Sequence, residues 1–578
     1  MSPRIPVSVA ALLAVGLFSP DAFAVLPRFV GKARITNPSF TGTPNTMMYD
    51  VRVTVDGTGA DADHLARVGF VPTSDYTTCA DASVDWKWAS SQSFDTTTVR
   101  TWSLYNFVPG TAYTYKIEVG DPSGTTRVRC GNLQTMAAAT PRLPTYLDRL
   151  NLQYAKSGAP YDTKYVVFET DDCGQGEPGG ASYYLVAVDV DAETIVWYLD
   201  VGAMTGTGAA GSAFHYHEGA TPQDDSVLLN VGKTHLYEWA FDGTEVHSRD
   251  FATSGECSGD PDSAGPCVHH DVFTSNDTGN TYMLATRAAT ADAMGTAWES
   301  KCGTGSRFLD DGFRVVDENW DLLADYSLMT DYDYDPTIDG GPDDTFVAAR
   351  RDSCNSQNWQ NTFDPAYGMS DWTHENSIAA SSFGGSEVID LSLREWDQIL
   401  RFDAATGDLL WRLSPNDGYS DWGPVRKEST VTGRVGWQGQ HNVHAIDDDT
   451  LMLFDNSGGG AAGSRVLEVD LRSAPLSATI TKSWVLVDDA GDPLICSIEG
   501  AGQQVPDSTD HVLATCAPEY SIVELDDPTG NSGTSPPLLV GLPDGHGTEP
   551  ICTTGGPTNV HDIHGWHKAF PAARIGEF

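Results

Sequence analysis

Four histidines open four successive strand-like units: His217 in HYHEGATPQDDSVLLNVG, His270 in HHDVFTSNDTGNTYMLATR, His374 in DWTHENSIAA and His441 in GQHNVHAIDDDT. An imidazole can ligate a metal, move a proton or act as a nucleophile. Spacing narrows the choice. His374 precedes Asp403 by 29 positions, and His441 precedes Asp470 by the same 29, which predicts one register in a repeated unit. Arg394 lies within the first of these units. A guanidinium among imidazoles repels a cation and suits an anion with three or four oxygens. No carboxylate is expected in the histidine register, so a metal site is set aside. Asn376 follows His374 by two residues and reads equally as an orienting group or a turn residue.

The elements that must position these groups repeat along the chain. Six apolar runs end in aspartate: LVAVD at Asp189, YEWAFD at Asp242, FRVVD at Asp317, ILRFD at Asp403, VLEVD at Asp470 and IVELD at Asp526. A turn follows each, and usually another strand-like run. Beyond about residue 160 no helical period appears. Repeats of this length, all strand, predict six propeller blades. Equivalent blade positions lie at one height around an axis, so the histidines are expected as a ring at a channel mouth. The sixth unit carries Gln503 and Gln504 at that place. Long insertions at 253–312 and 325–370 are expected to frame the site.

Residues 25–137 alternate in strand fashion, and NFVPGTAYTYKIEV resembles a fibronectin type III strand and turn. The expected fold is therefore all-β: a small N-terminal β-sandwich, then a six-bladed β-propeller over 138–578 with a C-terminal extension.

Residues 1–24 read as a secretory signal, with Arg4 at a basic start, a short apolar core and Ala22-Phe23-Ala24 as cleavage site. No later stretch is apolar enough for a membrane helix. A periplasmic or secreted location is expected. All ten cysteines lie beyond the signal, in no zinc-like spacing, which favours disulfides. Neighbour pairing gives Cys79–Cys130, Cys257–Cys267, Cys302–Cys354 and Cys496–Cys516, leaving Cys173–Cys552 to join the repeat ends; other connectivities stay open. A formal net charge of −46 excludes nucleic acid and anionic membrane as partners. Asp331, Asp333 and Asp335 alternate as in a calcium loop, although Pro336 replaces the turn glycine, and this is the one cofactor expectation. His561, His564 and His567 cluster near the C-terminus.

From about 140 to 530 the chain resembles the bacterial arylsulfate sulfotransferases. The resemblance rests on His-His-Asp at 269–271, His-x-Asn-Ser at 374–377, Ser-x-Arg at 392–394, TGDLLWRL, and Gln-His-x-Val at 440–443 before LMLFDNS. The N-terminal sandwich also matches that family's architecture. The resemblance implies a sulfuryl group passed from an aryl sulfate to a phenol by a ping-pong mechanism, with no nucleotide sulfate donor. It implies His441 as nucleophile, carrying the group as a sulfohistidine, with His270, His374 and Arg394 holding its oxygens and Asn376 in the binding site. A homodimer is among the expected assembly states. One departure is the lack of the closely spaced cysteine pair that some members carry before the nucleophile. A non-catalytic secreted propeller is the main alternative. A quinoprotein dehydrogenase is the second, since FDAATGDLLW resembles its tryptophan-docking turn and VDVDAETIVW is a partial copy.

Overall fold

Each apolar run that ends in aspartate forms, or immediately follows, the third strand of a separate antiparallel sheet. The third strands are Tyr183–Asp189, His235–Ala240, Arg307–Val316, Gln398–Asp403, Arg465–Ser473 and Ser521–Leu525. They are apolar runs rather than alternating strands because both faces are covered; every residue of Tyr183–Asp189 is buried. In the first, third and fourth sheets the terminal aspartate closes the turn to the fourth strand. Asp403 Oδ1 accepts the amides of Ala405 (3.0 Å) and Thr406 (2.9 Å), and Asp189 Oδ1 accepts that of Ala192 (2.8 Å). Asp317 Oδ1 does the same for Asn319 and Asp321, each at 2.9 Å. This is the turn chemistry that favours aspartate. The Thr406 amide, foremost, holds the Asp403 carboxyl below its ordinary pKa. In all six sheets the pairing of third and fourth strands shifts register, a bulge that adds twist.

A computed structural model describes residues 34–36, 49–55, 64–89, 91–94, 98–104, 107–120, 126–132, 143, 147, 162–171, 183–205, 211–217, 225–231, 234–241, 243–251, 268–290, 307–328, 370–371, 373–415, 425–428, 431, 435–456, 463–473, 476–487, 492–496, 500–506, 508–516, 521–526, 538–541 and 569–572. The signal-like stretch, Asp331, Asp333 and Asp335, and His561, His564 and His567 lie outside the described residues. So do Cys173, Cys257, Cys267, Cys302, Cys354 and Cys552, the expected boundary at 137, and most of both long insertions.

The first strands of the second to sixth sheets are Gly211–His217, Val272–Thr274, Glu375–Phe383, His441–Asp447 and Ala501–Gln504. The first sheet takes its first strand from the far end of the chain. Ala569–Ala572 pairs antiparallel with Tyr165–Asp171. This corrects the reading of the C-terminus as an extension, because its last described strand completes the first sheet. Strand pairing thus ties the two ends of the repeat region, where a Cys173–Cys552 bridge was expected. The bridges Cys79–Cys130 and Cys496–Cys516 are formed, with Cα separations of 5.7 and 5.5 Å.

The N-terminal residues make two sheets. Arg34–Thr36, Tyr49–Val55 and Thr98–Leu104 form one; His64–Pro72, Lys87–Trp88, Gln92–Phe94, Tyr113–Gly120 and Thr126–Asn132 form the other. Trp102 and Leu104 from one share an apolar cluster with Val68, Phe70 and Ile117 from the other. The same cluster continues into Phe168 and Val186 of the first sheet and Leu513 and Ile522 of the sixth. The N-terminal unit is therefore packed where the first and last sheets meet. Among the described residues the named helices are Val201–Thr205 and the 3-10 turn Arg394–Trp396, and no helix is long and apolar enough to cross a membrane.

Candidate functional site

First-strand residues of all six sheets line one open pocket: Phe570, His215, Phe273, Ala379, His444 and Gln503. At one end of it the third to sixth sheets are joined by a recurring hydrogen bond. The Ile378 amide donates to Asp271 Oδ2 (3.0 Å), the Val443 amide to Ser377 Oγ (2.9 Å) and the Gly502 amide to Asn442 Oδ1 (3.1 Å). Asp271, Ser377 and Asn442 are therefore structurally equivalent, and the residues before them, His270, Asn376 and His441, share one register. The expected single ring of imidazoles is corrected here. His374 sits two residues upstream of that register, and the pairing of the strand that follows it shifts between Glu375 and Ser377. His217, paired with Ser226, lies two residues beyond the cavity-lining His215.

The displaced histidine still reaches its neighbour. The rings of His270 and His374 have centroids 5.1 Å apart. Both residues hold a left-handed backbone, with φ of 49° and 50°, and so does Asn442 at 50°. A non-glycine residue in that region costs about 1–3 kcal/mol, and such strain gathers at working sites. His374 is 8 % exposed and His441 7 %. Arg394 follows the second strand of the fourth sheet, and its amide donates to the His374 carbonyl at 3.1 Å. Its guanidinium Nη1 donates to Glu395 Oε1 at 2.9 Å.

His441 is positioned by a network of hydrogen bonds. The turn before it is pinned by the Gln438 amide on Asp455 Oδ1 (3.0 Å) and the Gly439 amide on Asp397 Oδ1 (2.6 Å). Gln440 is fully buried and its amide nitrogen donates to Ser392 Oγ, the Leu393 carbonyl and the Gln398 carbonyl, all at 3.0–3.1 Å. Asn376 Nδ2 donates to the Gln440 carbonyl at 2.7 Å, which fastens the turn to the fourth sheet and gives Asn376 an orienting role. The His441 ring lies with Nδ1 2.7 Å from Asn456 Oδ1 and 3.0 Å from the Gly439 carbonyl. Asn456 spends its Nδ2 on the Cys496 carbonyl at 2.8 Å, so its oxygen faces the imidazole. Two acceptors around Nδ1 put the proton there and leave the lone pair on Nε2.

Asn456 escaped sequence reading. The only signal for it was an asparagine just past the strand Thr450–Asp455, whose Phe454 pairs with His441. A carboxylate group escaped it too. His269, Asp311 and Glu375 converge directly behind His270 and His374; the expectation concerned only the histidine register itself. The Glu375 amide donates to Asp311 Oδ2 at 3.1 Å, and the Thr373 hydroxyl donates to the same oxygen. Burial, with the charges of Asp311 and Asp310 adding to it, pushes the Glu375 carboxyl well above the usual carboxylate range.

Among solved structures the chain resembles dihydro-heme d1 dehydrogenase NirN in complex with DHE at 12% identity, covering 88% of this chain and 78% of that one, with a TM-score of 0.29. It resembles Saccharomyces cerevisiae Sqt1 at 9% identity, covering 76% and 94%, with a TM-score of 0.25. It also resembles apo AztD from Citrobacter koseri at 9% identity, covering 82% and 97%, with a TM-score of 0.26. None of these likenesses bears on what the chain does. No curated protein matches it. A family model, Arylsulfotransferase (ASST), matches residues 178–471, just over half of the chain, and takes in His270, His374, Asn376, Arg394 and His441. The chain belongs to the arylsulfotransferase family.

Proposed function

We propose that this protein moves a sulfuryl group from an aryl sulfate to a phenol by double displacement through a sulfohistidine on His441. The observation that carries the reading is the His441 imidazole, whose Nδ1 is held by Asn456 and Gly439 so that Nε2 keeps its lone pair. In the first step Nε2 attacks sulfur, the sulfur–oxygen bond to the aryl group breaks, and the phenolate leaves. In the second step an acceptor phenol oxygen attacks sulfur, the nitrogen–sulfur bond breaks, and the lone pair returns to Nε2; the acceptor's proton passes to solvent, where it balances the phenolate released in the first step. Sulfuryl transfer, like phosphoryl transfer, has a loose transition state with charge on the equatorial oxygens, so fixed donors supply most of the rate. His270, His374 and Arg394 are those donors in this reading, Glu395 aims the guanidinium, and Asn376 holds the nucleophile's turn against the substrate site. The six sheets are then blades of a six-bladed propeller around the cavity, and residues 25–137 form a sandwich against the seam. Residues 1–24 act as an export signal, in keeping with two formed disulfides.

Rapid mixing with a chromogenic aryl sulfate tests the reading. About one phenol per site is released in a burst before steady turnover, and mass spectrometry finds the sulfuryl group on His441. His441→Asn abolishes the burst in a protein with unchanged circular dichroism. Asn456→Ala lowers the burst rate about 10²-fold with the fold intact, through loss of the correct tautomer. Arg394→Lys lowers it by about 10²–10³-fold. A burst that survives His441→Asn overturns the nucleophile, and a wild-type protein inert to every aryl sulfate leaves the non-catalytic binding reading.

A further inference from the structure

We propose that His269, Asp311 and Glu375 form a buried site for one divalent transition-metal ion behind the paired imidazoles of His270 and His374. One ligand atom from each residue lies within 4.8 Å of the others, and all three residues are buried. The three come from distant parts of the chain. His269 precedes the first strand of the third sheet, Asp311 is in that sheet's third strand, and Glu375 begins the fourth sheet. His269 Nε2 is 3.9 Å from Asp311 Oδ1, which leaves room for an ion between them. Glu375 is 0 % exposed, and neither of its carboxylate oxygens makes a hydrogen bond of ordinary geometry; burial outweighs the nearby Arg287 charge and Gly312 amide, which favour its ionised form. The neighbouring carboxylates are provided for. Asp310 accepts the Ser327 hydroxyl at 2.6 Å, and Asp311 accepts the Thr373 hydroxyl and the Glu375 amide.

A carboxyl group so buried either holds a proton or meets a cation, and the imidazole and second carboxylate that converge on it are the further donors a cation needs. One imidazole and two carboxylates are a donor set for zinc, manganese or iron(II) rather than for calcium or magnesium, which favour oxygen alone. Zinc takes imidazole nitrogen and carboxylate oxygen at about 2.0–2.2 Å. The consequence for the histidines rests on the sulfuryl-transfer reading. His269 Nδ1 is 2.6 Å from His270 Nδ1. With its Nε2 on a metal, His269 carries its proton on Nδ1 and donates it to His270 Nδ1. His270 is then left with an N–H at Nε2, the form that donates to a sulfuryl oxygen.

The test uses the full chain, purified without a histidine tag, stripped with chelator and titrated with zinc by calorimetry and elemental analysis. One zinc per chain is expected, and cobalt substitution gives a visible ligand-field spectrum. Glu375→Gln and His269→Gln weaken zinc binding by more than about 100-fold. Asp311→Asn does the same and serves if Glu375→Gln fails to fold. Glu524→Gln, and replacement of His561, His564 and His567 by alanine, leave the zinc in place. Absence of stoichiometric zinc, retention in folded Glu375→Gln, or loss in the Glu524→Gln or tail variants overturns the site. Zinc occupancy is read without turnover, so it stands even if His441 is not the nucleophile.

Discussion

Two histidine–carboxylate triads of the same composition lie in this molecule, and they are built in opposite ways. Asp162, His511 and Glu524 converge at the sixth sheet; His269, Asp311 and Glu375 converge between the third and fourth. Glu524 is 1 % exposed, yet its oxygens receive the Asp162 amide (2.8 Å), the Thr163 amide (3.0 Å) and His511 Nδ1 (2.6 Å). Glu375 is equally buried, but its oxygens make no hydrogen bond of ordinary geometry, and burial outweighs the nearby Arg287 charge and Gly312 amide. The first triad satisfies itself and clamps the sixth sheet to the segment entering the first. The second is left short of positive charge beside the candidate sulfuryl site. Residue types alone do not separate a clamp from a ligand site; the count of donors reaching the buried carboxylate does.

The largest expected effect comes from breaking the clamp. Glu524→Ala strands two backbone amides, one of them fully buried, and is expected to lower unfolding stability by about 2–4 kcal/mol in urea titration. A change under about 0.5 kcal/mol erases the contrast between the triads. The complementary substitution is expected to act in the opposite direction. In chelator-stripped protein, Glu375→Leu replaces a buried acid that makes no ordinary hydrogen bond and raises stability by about 1–2 kcal/mol, measured the same way. A strong loss there would mean the carboxylate is already satisfied.

The smallest effect concerns pH. Burial lowers the affinity of His511 for a proton, but the Glu524 hydrogen bond and charge, with Asp162 and Asp526, outweigh it, and the net pKa is raised above the ordinary 6.5. A raised folded-state value means the protonated clamp stabilises fully below about pH 6.5, and that contribution fades as pH rises through the folded pKa. Urea midpoints of wild type and His511→Gln are expected to differ in mild acid and to converge in mild alkali. Parallel curves across that window would remove the charge from the clamp.

What sequence alone determined is the chemistry that acts over a few residues. The six apolar runs ending in aspartate were legible as repeated strands because burial on both faces favours continuous apolar residues, while their place as third strands was not. The closing aspartate was legible because it must accept the turn amides within four positions, as Asp403 does for Ala405 and Thr406. The pairings Cys79–Cys130 and Cys496–Cys516 were legible from the order of the cysteines along the chain, although they close separations of 51 and 20 residues. His270, His374, Arg394 and His441 were found by their types and order, but their register was not. Equal spacing from an aspartate suggested that His374 and His441 are equivalent. The hydrogen bonds from Ile378 and Val443 to the preceding sheets instead pair His441 with Asn376 and His270. A shift in pairing leaves no mark in a spacing count. The convergence of Glu375 with Asp311 and His269, and the return of Ala569–Ala572 to complete the first sheet, were decided only by tertiary structure. Sheet-to-sheet packing places such groups, and the energy that places them is shared across contacts hundreds of residues apart in the chain.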